Sequence, residues 1–130
     1  MSSYSQLLYE KLERVGRITL NRPRYRNAQS TVLLKELDRA FEEAALDDEV
    51  KVIILAGAGD HFSAGHDLGT PEEKENPNSY YNTKGLKNRH IKSWDIFLNN
   101  TLRWRDLPRA PRTAQPSPRD CLPTWNYGIW

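Results

Sequence analysis

Residues Leu7 to Arg14 (LLYEKLER) alternate loosely between apolar and polar positions, and Gly16 to Asn21 (GRITLN) sets Ile18 and Leu20 on one face. A period of two predicts two short strands, joined by a turn at Val15 and Gly16, although LLYEKLE alone also suits the start of a helix. Pro23 biases Arg22 away from helical backbone, so Asn21-Arg22-Pro23 closes the second strand. The period then changes. Leu34, Leu37, Phe41 and Ala44 recur at three- and four-residue spacing behind the hydroxyls of Gln29-Ser30-Thr31, which predicts a capped amphipathic helix that Asp47-Asp48-Glu49 closes. VKVIILAG (Val50 to Gly57) follows as a continuous β-branched run, the pattern of a strand covered on both faces.

Beyond the glycines the pattern weakens. Thr70 to Gly85 (TPEEKENPNSYYNTKG) is polar and broken by Pro71 and Pro77, which predicts a mobile surface loop. Ile91, Trp94, Phe97 or Leu98, Thr101 and Leu102 return to helical spacing and predict a core helix over about 88–105. After Leu107 neither period survives, and residues 108–130 hold five prolines among 23 residues. The chain therefore divides into a folded part, 1–107, and a Pro/Arg-rich tail, 108–130, expected to be irregular.

Composition narrows the function classes. A chain of 130 residues fits one domain, and its 19 basic and 17 acidic side chains are interspersed, with a formal charge of +2. That balance points to no nucleic-acid partner. A single cysteine, Cys121, cannot form an internal disulfide or a thiolate cage, which suits a reducing compartment. No leader-like start and no apolar run of membrane-spanning length is present, so the expectation is a cytoplasmic protein without a membrane partner. The mean hydropathy of −0.78 has its apolar deficit mostly in the last third of the chain, which hints at an incomplete core.

Candidate chemistry concentrates in HFSAGHDL, residues 61–68. Ser63, His66 and Asp67 are the residue types of a hydrolytic triad, but neighbours on one extended loop rarely converge. Asp60, His61, His66 and Asp67 lack the helical spacing of a metal motif. The glycines Gly57, Gly59 and Gly65 match no nucleotide-phosphate loop, since Phe62 stands where a third glycine belongs. Two readings stay open on these letters: a plain tight turn at Ala64-Gly65 flanked by solvated histidines, or small residues that let backbone amides approach a ligand, as in an oxyanion hole.

The motifs together resemble the crotonase (enoyl-CoA hydratase/isomerase) superfamily: ITLNRPRYRNAQS after a short strand, the helix LLKELDRAFEEAALDDEV, the strand and loop KVIILAGAGDHFSAGHDL, and LRWRDLP at 102–108. The resemblance covers roughly Leu7 to Pro108. It implies an α/β fold, here a partial crotonase-like spiral of ββα units, truncated, with an irregular C-terminal tail. It implies that the FSAGxDL loop binds an acyl-CoA thioester and that the residue after the glycine, His66, gives one backbone N–H of an oxyanion hole for hydration or isomerisation of a 2-enoyl-CoA. The imidazole of His66 either plays no part or contacts the acyl chain or pantetheine. By the same resemblance Ala64 meets the adenine end through its backbone, Gly65 keeps the loop close, Asp67 caps the turn, and Leu68 shapes the acyl pocket. Arg24 and Arg26 stand near the CoA phosphates, or else are solvated loop arginines. No cofactor is implied beyond coenzyme A as part of the substrate, and no metal.

The chain departs from the family pattern after Pro108. The family continues with an apolar strand, a Gly-Gly helix start that completes the oxyanion hole, and the acid/base carboxylates; here RAPRTAQPSPRDCLPTWNYGIW follows, with Asp120 as its one acid. No general acid or base is carried over, and the tail reads as an altered terminus. Proline cannot serve a central strand. An unfinished spiral is expected to leave apolar surface on the strand VIIL and on the helix face Leu34/Leu37/Phe41. The alternative to an enzyme is a catalytically inactive fragment that binds CoA weakly or associates with full-length subunits, since the family forms trimers and hexamers.

Overall fold

The computed structural model describes residues 3–107 and the backbone of 111–113. Strands β1 (Leu7–Leu12) and β2 (Val15–Leu20) pair antiparallel, with Leu12 opposite Val15 and Leu7 opposite Leu20. The predicted strands are correct but the predicted turn is displaced: it lies at Glu13-Arg14, with Glu13 at φ +54°, while Val15 and Gly16 belong to β2. Gly16 serves packing instead. A Cβ there would lie 3.3 Å from Val50 Cγ1 and 3.4 Å from the Ala44 Cβ, so the small residue lets the following helix approach the sheet.

A 3-10 turn at Pro23–Tyr25 leads to helix α1 (Thr31–Leu46). Ser30 is its N-cap, and the Ser30 hydroxyl accepts from the Leu33 amide. The apolar face Leu33, Leu34, Leu37, Ala40, Phe41 and Ala44 is buried. Strand β3 (Val52–Gly57) then returns parallel to β2, Val15 opposite Val52 and Leu20 opposite Gly57, so that α1 is the crossover between parallel neighbours. Ile18 and Leu20 of β2 meet Ile53 and Leu55 of β3 in one cluster with the helix face. The expectation that β3 is covered on both faces is half met, because Val52 and Ile54 on the other face are only partly buried.

The polar stretch 70–85 is not a plain loop. It contains a short helix, α2 (Pro71–Glu75), capped by Thr70, and it buries Glu73 and Ser79 completely or nearly so. Helical backbone then runs from α3 (Leu86–Ser93) through a π-helical turn (Trp94–Asn99) into α4 (Asn100–Arg105). The helix is where the spacing predicts it, but the buried face is Ile96, Asn100 and Trp104, while Ile91, Trp94 and Leu102 are exposed. A π turn takes more than 3.6 residues, so the phase counted from Ile91 is lost across it.

This helix corrects the expected exposure of α1. The Trp104 ring lies 5.1 Å from that of Phe41, its Nε1 donates to Asp38 (3.0 Å), and Arg103 pairs with the same carboxylate. Leu34, Leu37 and Phe41, each at most 2% exposed, belong to one cluster with the sheet residues Ile18, Leu20, Ile53 and Leu55 and with Ile96 and Trp104. The sheet order is β1-β2-β3-β4, where β4 (Pro111–Thr113) pairs parallel with Ile53–Leu55 at the edge. The tail thus adds three residues of strand, at an edge, with proline as the first of them, the place where a missing N–H is tolerated. Asp120, Cys121 and the rest of 108–130 lie outside the described residues. Among the described residues, no helix is long and apolar enough to cross a membrane.

Candidate functional site

The loop from Ala58 to Gly69 is held against the segment 22–31 by a set of buried bonds. Asn27, fully buried at φ +54°, accepts from the Arg22 amide through Oδ1 and donates from Nδ2 to the carbonyls of Ala58 and His61. Asparagine suits that left-handed position because its short amide can bond locally. The Ser63 hydroxyl donates to the Asn27 carbonyl and accepts from the Gly65 amide, and the Ala64 amide donates to the Arg26 carbonyl. Ser63 is therefore tied to backbone, with no imidazole as its partner. Among the described residues no three His, Cys, Asp or Glu side chains gather as a metal site would need.

Gly65 sits at φ +91° with nothing within 4 Å of where a Cβ would stand, so the backbone is both specialised and uncovered there. His66 follows as one member of an isolated parallel bridge with Gln29: the Gln29 amide donates to the Gly65 carbonyl and the Asp67 amide to the Gln29 carbonyl. In a parallel bridge of this kind the central residue turns its own N–H and C=O away from the partner. The His66 amide is the one so turned, and among the described residues it donates to no group.

Asp67 anchors the far side of the loop. Its Oδ2 accepts from Arg22 at 3.0 Å and from the Thr70 hydroxyl, and its Oδ1 accepts from the amides of Gly69 and Thr70. Burial pushes the Asp67 carboxyl up, but bonds from Thr70, Gly69 and Arg22 outweigh it and hold the group below its ordinary range, ionised at neutral pH. Arg22 extends the network to Thr70 and to Glu72 at 3.1 Å.

Beside the loop opens a cleft of about 300 Å³, lined by Gln29, Thr31, His66, Asp67, Leu68, Glu73, Tyr80, Tyr81, Ser93 and Phe97. The His66 and Phe97 rings stack at 4.0 Å and 22°, and burial holds the imidazole below its ordinary 6.5, so it is neutral at pH 7. Glu73 reaches the start of α1: its Oε2 accepts from the Thr31 amide and its Oε1 from the Thr31 hydroxyl. The Tyr80 amide donates to the same hydroxyl, and the Tyr81 hydroxyl donates to the Asp67 carbonyl. Burial first, then the charges of Asp67 and Glu73, raise the Tyr81 phenol above 10, so it remains protonated.

The structure brings His66, Asp67 and Leu68 together at this cleft, with Gly65 at its rim. Ala64 is exposed beside it with its amide committed to Arg26, which leaves its carbonyl for contact. Arg24 and Arg26 are exposed on the neighbouring turn and line no part of the cleft. Arg22, Asn27, Glu73, Tyr80, Tyr81 and Phe97 escape the sequence reading as site residues. For Arg22 and Asn27 the signal is their place at the two ends of RPRYRN; Glu73 carries none, being one acid in a polar run.

A family model described as enoyl-CoA hydratase/isomerase matches residues 10–96. A provisionally named enoyl-CoA hydratase of Mycobacterium tuberculosis is 40% identical, over 80% of this chain and 37% of that protein. The 2,3-dehydroadipyl-CoA hydratase of Escherichia coli (strain K12) is 39% identical, over 55% of this chain and 28% of that protein. A solved enoyl-CoA hydratase structure from Mycobacterium smegmatis, also provisionally assigned, superposes with a TM-score of 0.70 at 42% identity, covering 87% of this chain and 41% of that one. The matches thus span from about a quarter to about two-fifths of the length of those relatives.

Proposed function

We propose a function from the premise that this chain belongs to the enoyl-CoA hydratase/isomerase family: its 64–68 loop binds the thioester of an acyl-CoA, and the His66 N–H is offered to the thioester oxygen. The reaction class served is hydration or isomerisation of a 2-enoyl-CoA. Addition to the double bond, or its migration, builds negative charge on that oxygen as an enolate. A fixed donor aimed at the charge lowers the barrier by about 2.7–4 kcal/mol, because it is already oriented when the charge appears.

The observation that supports this reading is the orientation of the His66 amide. The Gln29 bridge turns it away from Gln29, the space around Gly65 is uncrowded, and Asn27, Ser63 and Asp67 hold the loop. In this reading the neutral imidazole takes no proton; it forms a wall against Phe97. In this reading the exposed Ala64 backbone meets the adenine end, and Arg24 and Arg26, exposed on the adjoining turn, draw the phosphates.

Calorimetric titration with a non-hydrolysable acyl-CoA tests the half-site. Saturable binding is expected, and His66→Pro, which deletes the N–H donor, is expected to weaken it at least tenfold while the circular dichroism of the chain is kept. Equal binding by the variant would remove His66 from the site.

A second reading is that the chain by itself binds the thioester without turning it over. It is favoured by the engagement of both cleft carboxylates, Asp67 with Arg22 and Thr70, Glu73 with Thr31. Loss of enoyl-thioester absorbance above that of a denatured control would decide against it.

A further inference from the structure

We infer that the cleft beside His66 selects a short, flat, uncharged acyl group that carries an aryl ring, over a flexible aliphatic chain and over an acyl group that ends in a carboxylate. The inference rests on the acyl-CoA reading above and adds the substrate class. Its basis is the cleft wall. His66 and Phe97 stack at 4.0 Å, Tyr80 meets Phe97 edge-on at 5.7 Å and 67°, and Tyr81 meets Tyr80 edge-on at 5.5 Å and 77°.

Four rings packed against one another line the cleft, and flat π-systems gain beyond area burial when they pair with aromatic rings. Phe97 is brought there by the π-helical turn, which also seats Ile96 in the core. A volume of about 300 Å³ lies at the small end of ligand sites, enough for the acyl end and not for a long chain.

Charge sets the second preference. Asp67 and Glu73 both line the cleft, and no lysine or arginine does so among the described residues. Arg22, the nearest guanidinium in the network, is already paired with Asp67 and Glu72. Glu73 adds a further carboxylate, so Asp67, Glu72 and Glu73 outnumber the one guanidinium, Arg22, that pairs with the first two. A carboxylate carried in on the acyl end would meet like charge without a partner.

The test titrates the full chain by calorimetry with three non-hydrolysable thioether analogues of CoA, bearing a phenylpropenyl, a butyl and an ω-carboxybutyl group. The phenylpropenyl analogue is expected to bind about two- to tenfold tighter than the butyl analogue, and the ω-carboxybutyl analogue weakest of the three. Phe97→Leu, or Tyr80→Leu should the first variant lose its circular dichroism, is expected to bring the first ratio toward one. Equal affinity for all three, still weakened by His66→Pro, overturns the selectivity alone. No binding of any analogue overturns the acyl-CoA reading and the selectivity with it.

Discussion

Arg22 joins three segments through one side chain: the end of β2, the loop at Asp67 and the start of α2. Replacing it with methionine keeps most of the volume but leaves the Asp67 carboxylate, 1% exposed in its side chain, buried beside no cation. Breaking a buried pair from one side costs about 3–5 kcal/mol, so Arg22→Met should lower the urea midpoint steeply, and a midpoint equal to that of the parent chain would show the pair to be dispensable. Arg22→Lys should recover little, because an ammonium cannot fork between Asp67 and Glu72 as the guanidinium does. Read as sequence, the candidate site falls at HFSAGHDL, where serine, histidines, aspartate and glycine crowd into eight positions. It could not reveal that Arg22, rather than Arg24 or Arg26, is the buried arginine, because three arginines in five positions look alike until the fold encloses one.

Among the elements, the segment 70–83 owes its place to contacts from outside itself. Glu73 caps α1 at Thr31, Tyr80 bonds the Thr31 hydroxyl, and Lys92 reaches the carbonyls of Asn78 and Ser79. Glu73→Ala would leave the Thr31 amide and the Thr31 hydroxyl proton without their acceptor, at a cost of about 1–3 kcal/mol. The expected result is faster proteolytic cleavage within 71–85 with the rest of the chain still protected, and an unchanged cleavage rate would refute the role of Glu73 as the fastening. Such an element is illegible beforehand: five helical residues are too few for a period, and the polar letters that cap and fasten it are those of a solvated loop. The π-helical turn hides a second fact in the same way, since counting from Ile91 at 3.6 residues per turn leads to Leu102, where the structure buries Trp104. Where the period runs unbroken, as over Leu34 to Ala44, sequence and structure agree.

For the molecule as a whole, α1 lays one face into a cluster shared with the sheet and with Ile96 and Trp104 of the following helix. Truncating Trp104 to alanine should cost about 3–5 kcal/mol and expose Phe41, read as a lowered thermal midpoint with increased binding of a hydrophobic dye. A midpoint within a degree of the parent would mean that α4 does not close the core. The expectation of a bare α1 face failed because repeat logic counts only the next turn of the spiral, whereas this chain covers the face with its own sheet and its own later helix. The β2–α1–β3 crossover also has a consequence in time. The β1–β2 hairpin can form as soon as Leu20 is free, but the neighbour of Val15 on the other edge of β2 is Val52. At a synthesis rate of about 5–20 residues per second, the outer edge of β2 waits about two to seven seconds for β3 to emerge. During that interval the half-made sheet can recruit any extended neighbour, so a nascent chain is more exposed to mispairing than the finished one.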